Sequence, residues 1–391
     1  LGIYQFGGGF RDLFIFGAFL LVLLLRPHGL FGSRHAVVSE PMTGTFLGAG
    51  RPIRLAWWHW VVLALAAGLA VPLLGGSVLS SIGTQVVIYA IIAVPMTLLA
   101  GSTGQISLGQ AAPVAIGAYA SALLTTPDAP DRLGGFGLPI FAGWIGAALA
   151  AGLASLLVGA LTVRLRADYL AIATFGVAVM VQLGLLNLQF LTGGPFGIGF
   201  IPRPFAAAAG TPALFAALNL ALLVAVVATL YLGLERLLRS PWGRVLRAIR
   251  EDETAARALG KNADRFRLQA FALGGAIMGL AGAAQAHFIG FIAPENYQPM
   301  LTFQVWAMLI AGGSGNNRGA ILGAIVVWGL WAFSAPAIAA LFPPDEQARA
   351  AALRIVLIGI GLCAILLLRP RGLLGEARTV SRHLPPAKPK P

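Results

Sequence analysis

Side chains able to do chemistry are scarce in this sequence and fall into two settings, a charged interval between apolar runs and a few uncharged polar groups within them. The charged interval extends from Glu235 to Arg267 and is the longest polar stretch between apolar runs. Its centre reads Ser240-Pro241-Trp242-Gly243-Arg244-Val245-Leu246-Arg247-Ala248-Ile249-Arg250-Glu251-Asp252-Glu253-Thr254-Ala255-Ala256-Arg257-Ala258-Leu259-Gly260. From Arg244 to Leu259, the spacing of Val245, Leu246, Ile249, Ala256 and Leu259 predicts one apolar face on a helix lying along a membrane, closed by Gly260. A helix of this kind can dock in a groove of a partner protein; the alternative is a solvated charged loop.

The second setting is polar but uncharged. Gly101, Gly104 and Gly109 interrupt an apolar run beside Gln105, Ser107 and Gln110, a pattern that predicts a broken or re-entrant helix lining a cavity. Uncharged amides suit a zwitterionic or polar solute that must be released again, while the same residue types also hold spans together by hydrogen bonds. Thr174 and Gln182 place polar groups on roughly one face of another apolar run, with the same two readings of solute path or packing.

Catalytic chemistry finds no support. His287 has no second His, Cys or carboxylate at helical spacing to share a metal. Cys363, the only cysteine, can form no disulfide framework. The run Gly312-Gly313-Ser314-Gly315-Asn316-Asn317-Arg318-Gly319 lacks the Gly-Lys-Ser/Thr ending of a phosphate loop and predicts a tight turn that lets helices approach closely. A membrane-embedded transferase needs clustered carboxylates or histidines at a membrane face, and an ion-coupled carrier buries ionisable groups in its spans; neither pattern is present.

The elements that must position these groups are membrane helices. Hydrophobic residues make up 58% of the 391-residue chain and charged ones 10%, against about 25% charged in soluble domains. The apolar runs are continuous rather than alternating, so the predicted class is all-α, a polytopic transmembrane bundle. Ten spans are read after residue 55, near 56–74, 84–100, 107–124, 139–163, 168–190, 212–234, 268–290, 301–313, 319–341 and 352–368, with one more at Leu13–Leu25. The net charge of +13 resides in short loops on one side, around Arg26–Arg54, Arg164 and Arg166, Arg236–Arg267, Arg318 and Arg369–Lys390. That is the positive-inside pattern and not a nucleic-acid footprint; it places those loops on the cytoplasmic side of the membrane. The opposite loops carry Asp128, Asp131, Glu295, Asp345 and Glu346.

One phrase repeats. Leu23-Leu24-Leu25-Arg26-Pro27-His28-Gly29-Leu30 matches Leu366-Leu367-Leu368-Arg369-Pro370-Arg371-Gly372-Leu373. The repeat divides the chain into the end of a preceding membrane unit (1–32), a Gly/Pro/Ser linker (33–55), a membrane domain (56–375) and a cytoplasmic tail (376–391). The competing reading is a common way of stopping a helix at the cytoplasmic face.

With these motifs in place, the sequence resembles the membrane permeases of bacterial branched-chain amino acid ABC transporters, with urea and amide permeases as near relatives. Thr254-Ala255-Ala256-x-x-x-Gly260 fits the family's Glu-Ala-Ala-x-x-x-Gly coupling motif, with the Glu displaced to Glu253. Gly104-Gln105-Ile106-Ser107-Leu108-Gly109-Gln110, Leu191-Thr192-Gly193-Gly194-Pro195, the stretch from Ala281 to Glu295, and Gly312-Gly313-x-Gly315 with Gly319 and Gly323 resemble further family phrases. Val179 and Gln182 stand where relatives usually carry Glu and often Arg, which leaves the solute open.

The resemblance implies an ABC importer's permease for branched-chain amino acids or related small solutes. Arg244, Arg247, Arg250, Glu251, Asp252, Glu253, Ala255, Ala256 and Gly260 would couple it to the ATPase. Its implied partners are two ATP-binding cassette subunits, a second permease unit that the upstream segment could supply, and a periplasmic solute-binding protein touching Glu295. No cofactor is implied for this chain, since ATP and magnesium belong to the partner ATPase.

Overall fold

The computed structural model describes residues 11–25, 76–128, 133–163, 165, 167–206, 211–339, 342–343, 346–369 and 372–375. The predicted span at 56–74, the linker and the tail beyond 375 lie outside the described residues. Within them the predicted spans appear as helices: α1 (Arg11–Leu25), α2 (Gly76–Met96), α3 (Ala111–Thr125), α4 (Ile140–Thr162), α5 (Ala167–Asn187) and α6 (Pro212–Arg239). They continue through α7 (Pro241–Glu251), α8 (Glu253–Ala258), α9 (Ala263–Ile289), α10 (Pro299–Gly312), α11 (Asn317–Ala339) and α12 (Gln347–Leu368). Five described segments, Ser80–Ser102, Ile140–Thr162, Asp168–Asn187, Leu214–Arg239 and Ala263–Ile289, are long and apolar enough to cross a membrane. The protein is a polytopic helical membrane bundle.

Helix ends follow local chemistry. Thr211 accepts from Leu214 N ahead of Pro212 at the first turn of α6, and Asn262 accepts from Arg265 N to start α9. Such caps satisfy amides that the helix itself leaves unpaired. The α9 helix ends on Gly290 at φ +79°.

The centre of the bundle is α9 packed between α3 and α4, which also pack on each other. Small residues permit it: a Cβ on Gly117 of α3 would lie 2.2 Å from Gly279 O, and one on Gly279 2.8 Å from Ala147 O of α4. Without a hydrophobic drive between helices in lipid, such close backbone packing is what holds spans together. On one side α2 packs on α6 and α11, while α5 packs on α1. The predicted glycine turn closes α10 onto α11, where a Cβ on Gly312 would lie 1.8 Å from Gly319 O. The phrase after α12 then caps α10: Leu373 N and Leu374 N donate to Ala311 O and Gly312 O at 2.9 and 3.1 Å.

Loops of equal predicted parity meet each other. On the outer side, Ile198 and Ile292 exchange two backbone hydrogen bonds at 2.9 Å, and Leu133 N donates to Phe190 O. On the basic side, Asn317 Nδ2 donates to Glu235 and Asn316 Nδ2 to Gly375 O.

Candidate functional site

The predicted break is present and has an unusual geometry. From Thr97 to Ser102 the α2 helix widens into a π-helical turn, and the chain then runs irregularly to α3, passing Gly104 at φ +68°. Such turns concentrate at functional sites because they leave helix carbonyls without regular partners. Gln105, Ser107, Gln110 and Thr174 are all buried. Thr174 Oγ1 accepts from Leu108 N at 3.0 Å and donates to Leu170 O at 2.8 Å, tying the irregular segment to α5. Ser107 Oγ accepts from Gly109 N, the Ser107 carbonyl accepts from Trp306 Nε1 of α10, and Gln105 Oε1 accepts from Thr103 Oγ1. Gln110 Oε1 has no hydrogen-bond partner.

Ser107, Gln110 and Thr174 come together on the wall of a cavity of about 230 Å³ between α3, α4, α5 and α9, otherwise walled largely by aliphatic groups such as Leu99, Val177 and Met278. Gln105 and Gln182 do not line it. Gln182 shares a face with Thr174, as predicted, but eight residues along a helix is about 12 Å, too far for both to hold one small solute.

The charged interval differs from its prediction in one respect. Instead of one helix from Arg244 to Leu259, the chain forms an elbow, α7 then α8, broken at Asp252, whose Oδ1 accepts from Ala255 N at 2.9 Å as the cap of the second helix. Leu246, Ile249 and Ala256 are buried as predicted, but they pack against this chain's own bundle, while Leu259 is 79% exposed and off that face. The elbow closes on Gly260 at φ +75°, with Gly260 N to Arg257 O and Lys261 N to Ala256 O at 2.9 and 3.1 Å. This double bond is a glycine helix stop.

Each charge in the elbow has a task inside the chain. Arg244 and Arg247 donate to Arg239 O and Leu238 O, capping α6. Glu253 pairs with Arg257 and Arg267, both at 2.8 Å, and Arg257 with Asp264, fixing α8 to α9. Arg250 reaches farthest. Its Nη1 donates to the carbonyl of Gly101 in the π-helical turn, its Cγ packs 3.2 Å from where a Cβ on Gly104 would sit, and its Nη2 pairs with Glu251 at 2.7 Å. Thr254, Ala255, Ala258, Leu259 and Gly260 are exposed and carry none of these bonds through their side chains.

At the other face Glu295 is exposed on a short turn beside buried Tyr297. His287, fully buried, joins three elements: its Nδ1 donates to Pro202 O at 2.7 Å, which leaves Nε2 to pair with Ser121 Oγ at 2.8 Å. Sequence reasoning gave His287 no partner for a metal site and did not foresee these two bonds. The missed signal is the outer-loop segment that its ring holds down.

Residues 78–366 match the family described as the permease component of the branched-chain amino acid transport system. The chain belongs to this family. It is thus an inner-membrane transport component and not an enzyme. The high-affinity branched-chain amino acid transport system permease protein LivM of Escherichia coli is 35% identical over 294 residues, covering 68% of this chain and 66% of that protein. LivM of Salmonella typhimurium is 33% identical over 330 residues, covering 78% and 74% respectively. A probable branched-chain amino acid transport permease protein LivM of Methanocaldococcus jannaschii is 30% identical over 284 residues, covering 70% and 77%. The permease family member described here therefore spans about two thirds to three quarters of these relatives. No solved structure matches it.

Proposed function

We propose that this chain is the membrane-spanning subunit of an ATP-driven importer, in which the α7–α8 elbow receives the motion of an ATPase subunit and passes it to the helix break beside the solute cavity. It works with other permease and ATPase subunits. The observation that carries this reading is the Arg250 bridge from the elbow to Gly101, at the head of the segment whose Ser107 and Gln110 line the cavity. Two ATP-binding subunits supply ATP and magnesium chemistry, a second permease unit completes the pore, and a periplasmic binding protein delivers solute at the rim near Glu295. Because Leu259 stands exposed on the elbow and holds nothing within the chain's core, it is the apolar anchor for the ATPase groove. Changing Leu259→Asp is expected to weaken co-purification of the ATPase subunit about tenfold or more while the permease keeps its own thermal unfolding profile. Undiminished ATPase recovery overturns this docking.

The cavity supports one solute class over another. Aliphatic walls favour the branched side chain of an amino acid over urea or a short amide, which would leave apolar wall unfilled. Gln110→Met removes an amide oxygen without a partner and nearly preserves side-chain length, so folding should be unharmed. Leucine uptake in proteoliposomes is expected to fall about tenfold, with Gln182→Met near wild type. Equal uptake by both variants removes Gln110 from the solute path.

A further inference from the structure

A second cavity, polar and of about 400 Å³, opens where the foot of α6 meets α7 and the α10–α11 turn. Its wall carries three guanidiniums, Arg239, Arg247 and Arg318, against the single carboxylate of Glu235. That carboxylate is already engaged, its Oε1 by Arg239 at 2.6 Å and its Oε2 by Asn317 at 3.2 Å. Two cationic groups are left in excess. Arg247 spends Nη2 on Leu238 O, and Arg318 spends Nε on Tyr231 Oη. These bonds orient both guanidiniums and leave each with other N–H groups for a ligand, the fork geometry that suits phosphate.

The depth of the cavity selects the ligand. The segment of α6 long and apolar enough to cross a membrane is Leu214–Arg239, with its charges gathered from Glu235 onward, and about 20 residues cross the hydrocarbon core. Counted from Leu214, the core ends near Gly233. Tyr231 therefore sits in the interfacial aromatic zone, and Glu235 to Arg239 lie level with the headgroups of the basic, cytoplasmic leaflet. Along its length α6 packs mainly on α2, and Val224 and Leu232 on it are about half exposed, so acyl chains can run along α6 beneath the cavity mouth. A soluble anion would draw nothing from that apolar flank.

We propose that this cavity seats the phosphodiester headgroup of an anionic phospholipid of the cytoplasmic leaflet, held by Arg247 and Arg318 with Arg239 at the rim. Because Arg247 lies on α7 and Arg318 at the start of α11, the bound headgroup bridges the elbow to the body of the bundle. The site goes beyond the importer reading and needs only the membrane orientation.

The test is lipid retention. The complete transporter, purified in detergent, is incubated with equal amounts of phosphatidylglycerol and phosphatidylcholine, and retained lipid is quantified by mass spectrometry. Wild type should keep phosphatidylglycerol preferentially. The double variant Arg247→Gln/Arg318→Gln should lose that preference about tenfold or more, and Arg236→Gln, on α6 beside Arg239's turn but off the cavity wall, should keep it. Should the double variant fail to fold, Arg247→Gln and Arg318→Gln singly should each lose part of the preference at unchanged thermal unfolding, and Arg318→Lys should retain most of it. Unaltered retention in these variants overturns the proposal. So does displacement of the lipid by inorganic phosphate at concentrations equal to the lipid's, which marks a soluble-anion site, or a preference that shows only after the ATPase subunits are stripped from the transporter, which marks a protein-docking surface.

Discussion

Changing Arg250→Ala is expected to cut solute uptake by at least about tenfold while the partner ATPase continues to hydrolyse ATP. The expectation follows from what the side chain joins. Arg250 leaves the last turn of α7 and donates to the carbonyl of Gly101, a residue 149 positions away in the π-helical turn, while its aliphatic stem packs by Gly104. A hydrogen bond from a charged donor is worth about 1.5–3 kcal/mol, so its loss frees the break from the elbow by roughly ten- to a hundredfold in the equilibrium between their joint positions. The proposed docking surface around Leu259 is untouched, so ATPase binding and basal turnover are expected to persist. Arg250→Lys keeps the charge but cannot hold Gly101 O and Glu251 at once, and should give intermediate uptake. The decisive measurement is uptake and ATP hydrolysis in the same proteoliposomes: parallel loss of both would assign Arg250 to ATPase docking, and retention of both would remove it from coupling.

Much of the fold was legible because membrane helices are written in length and apolarity. Each predicted span after residue 75 has its helix, and even the hairpin α10–α11 divides at the glycine turn. The helix break was legible too, since glycines beside amides cannot face lipid as a regular helix. Less legible was what the faces meet. The spacing of Leu246, Ile249 and Ala256 fixed an apolar face correctly, yet nothing local says whether that face covers a partner or the chain's own bundle. Here it covers the bundle, and Leu259, which the spacing placed on the same face, stands exposed instead. The elbow at Asp252 was hidden for a related reason: an aspartate in a charged run reads as one more charge until its carboxylate is seen capping α8. Thr174 and Gln182 show the limit of helical periodicity, which fixes a shared face but not a shared height.

The small residues of α9 give the largest stability effect. A Cβ added to Gly282 would lie 1.9 Å from the carbonyl oxygen of Val114 and 3.1 Å from Ala118 N, both backbone atoms of α3. Side chains can swing aside, but backbone in a packed helix cannot, so Gly282→Val must drive α3 and α9 apart. That separation breaks a close backbone seam at the centre of the bundle, with Gly117 against Gly279 one register along. Overpacking commonly costs about 1–3 kcal/mol and occasionally more, and here the obstacle is rigid on both sides while the gain from added apolar surface is small in lipid. The variant is expected to lose most monodisperse protein in fluorescence-detected size exclusion and to unfold well below wild type on heating. Gly329→Ala supplies the contrast. It sits in α11 with nothing within 4 Å of its added Cβ, and removal of a helix glycine there should be neutral or stabilising by about 0.5–1 kcal/mol. Wild-type stability in Gly282→Val would mean that α3 and α9 do not touch backbone to backbone. The cavity walled by both helices would then need a different shape.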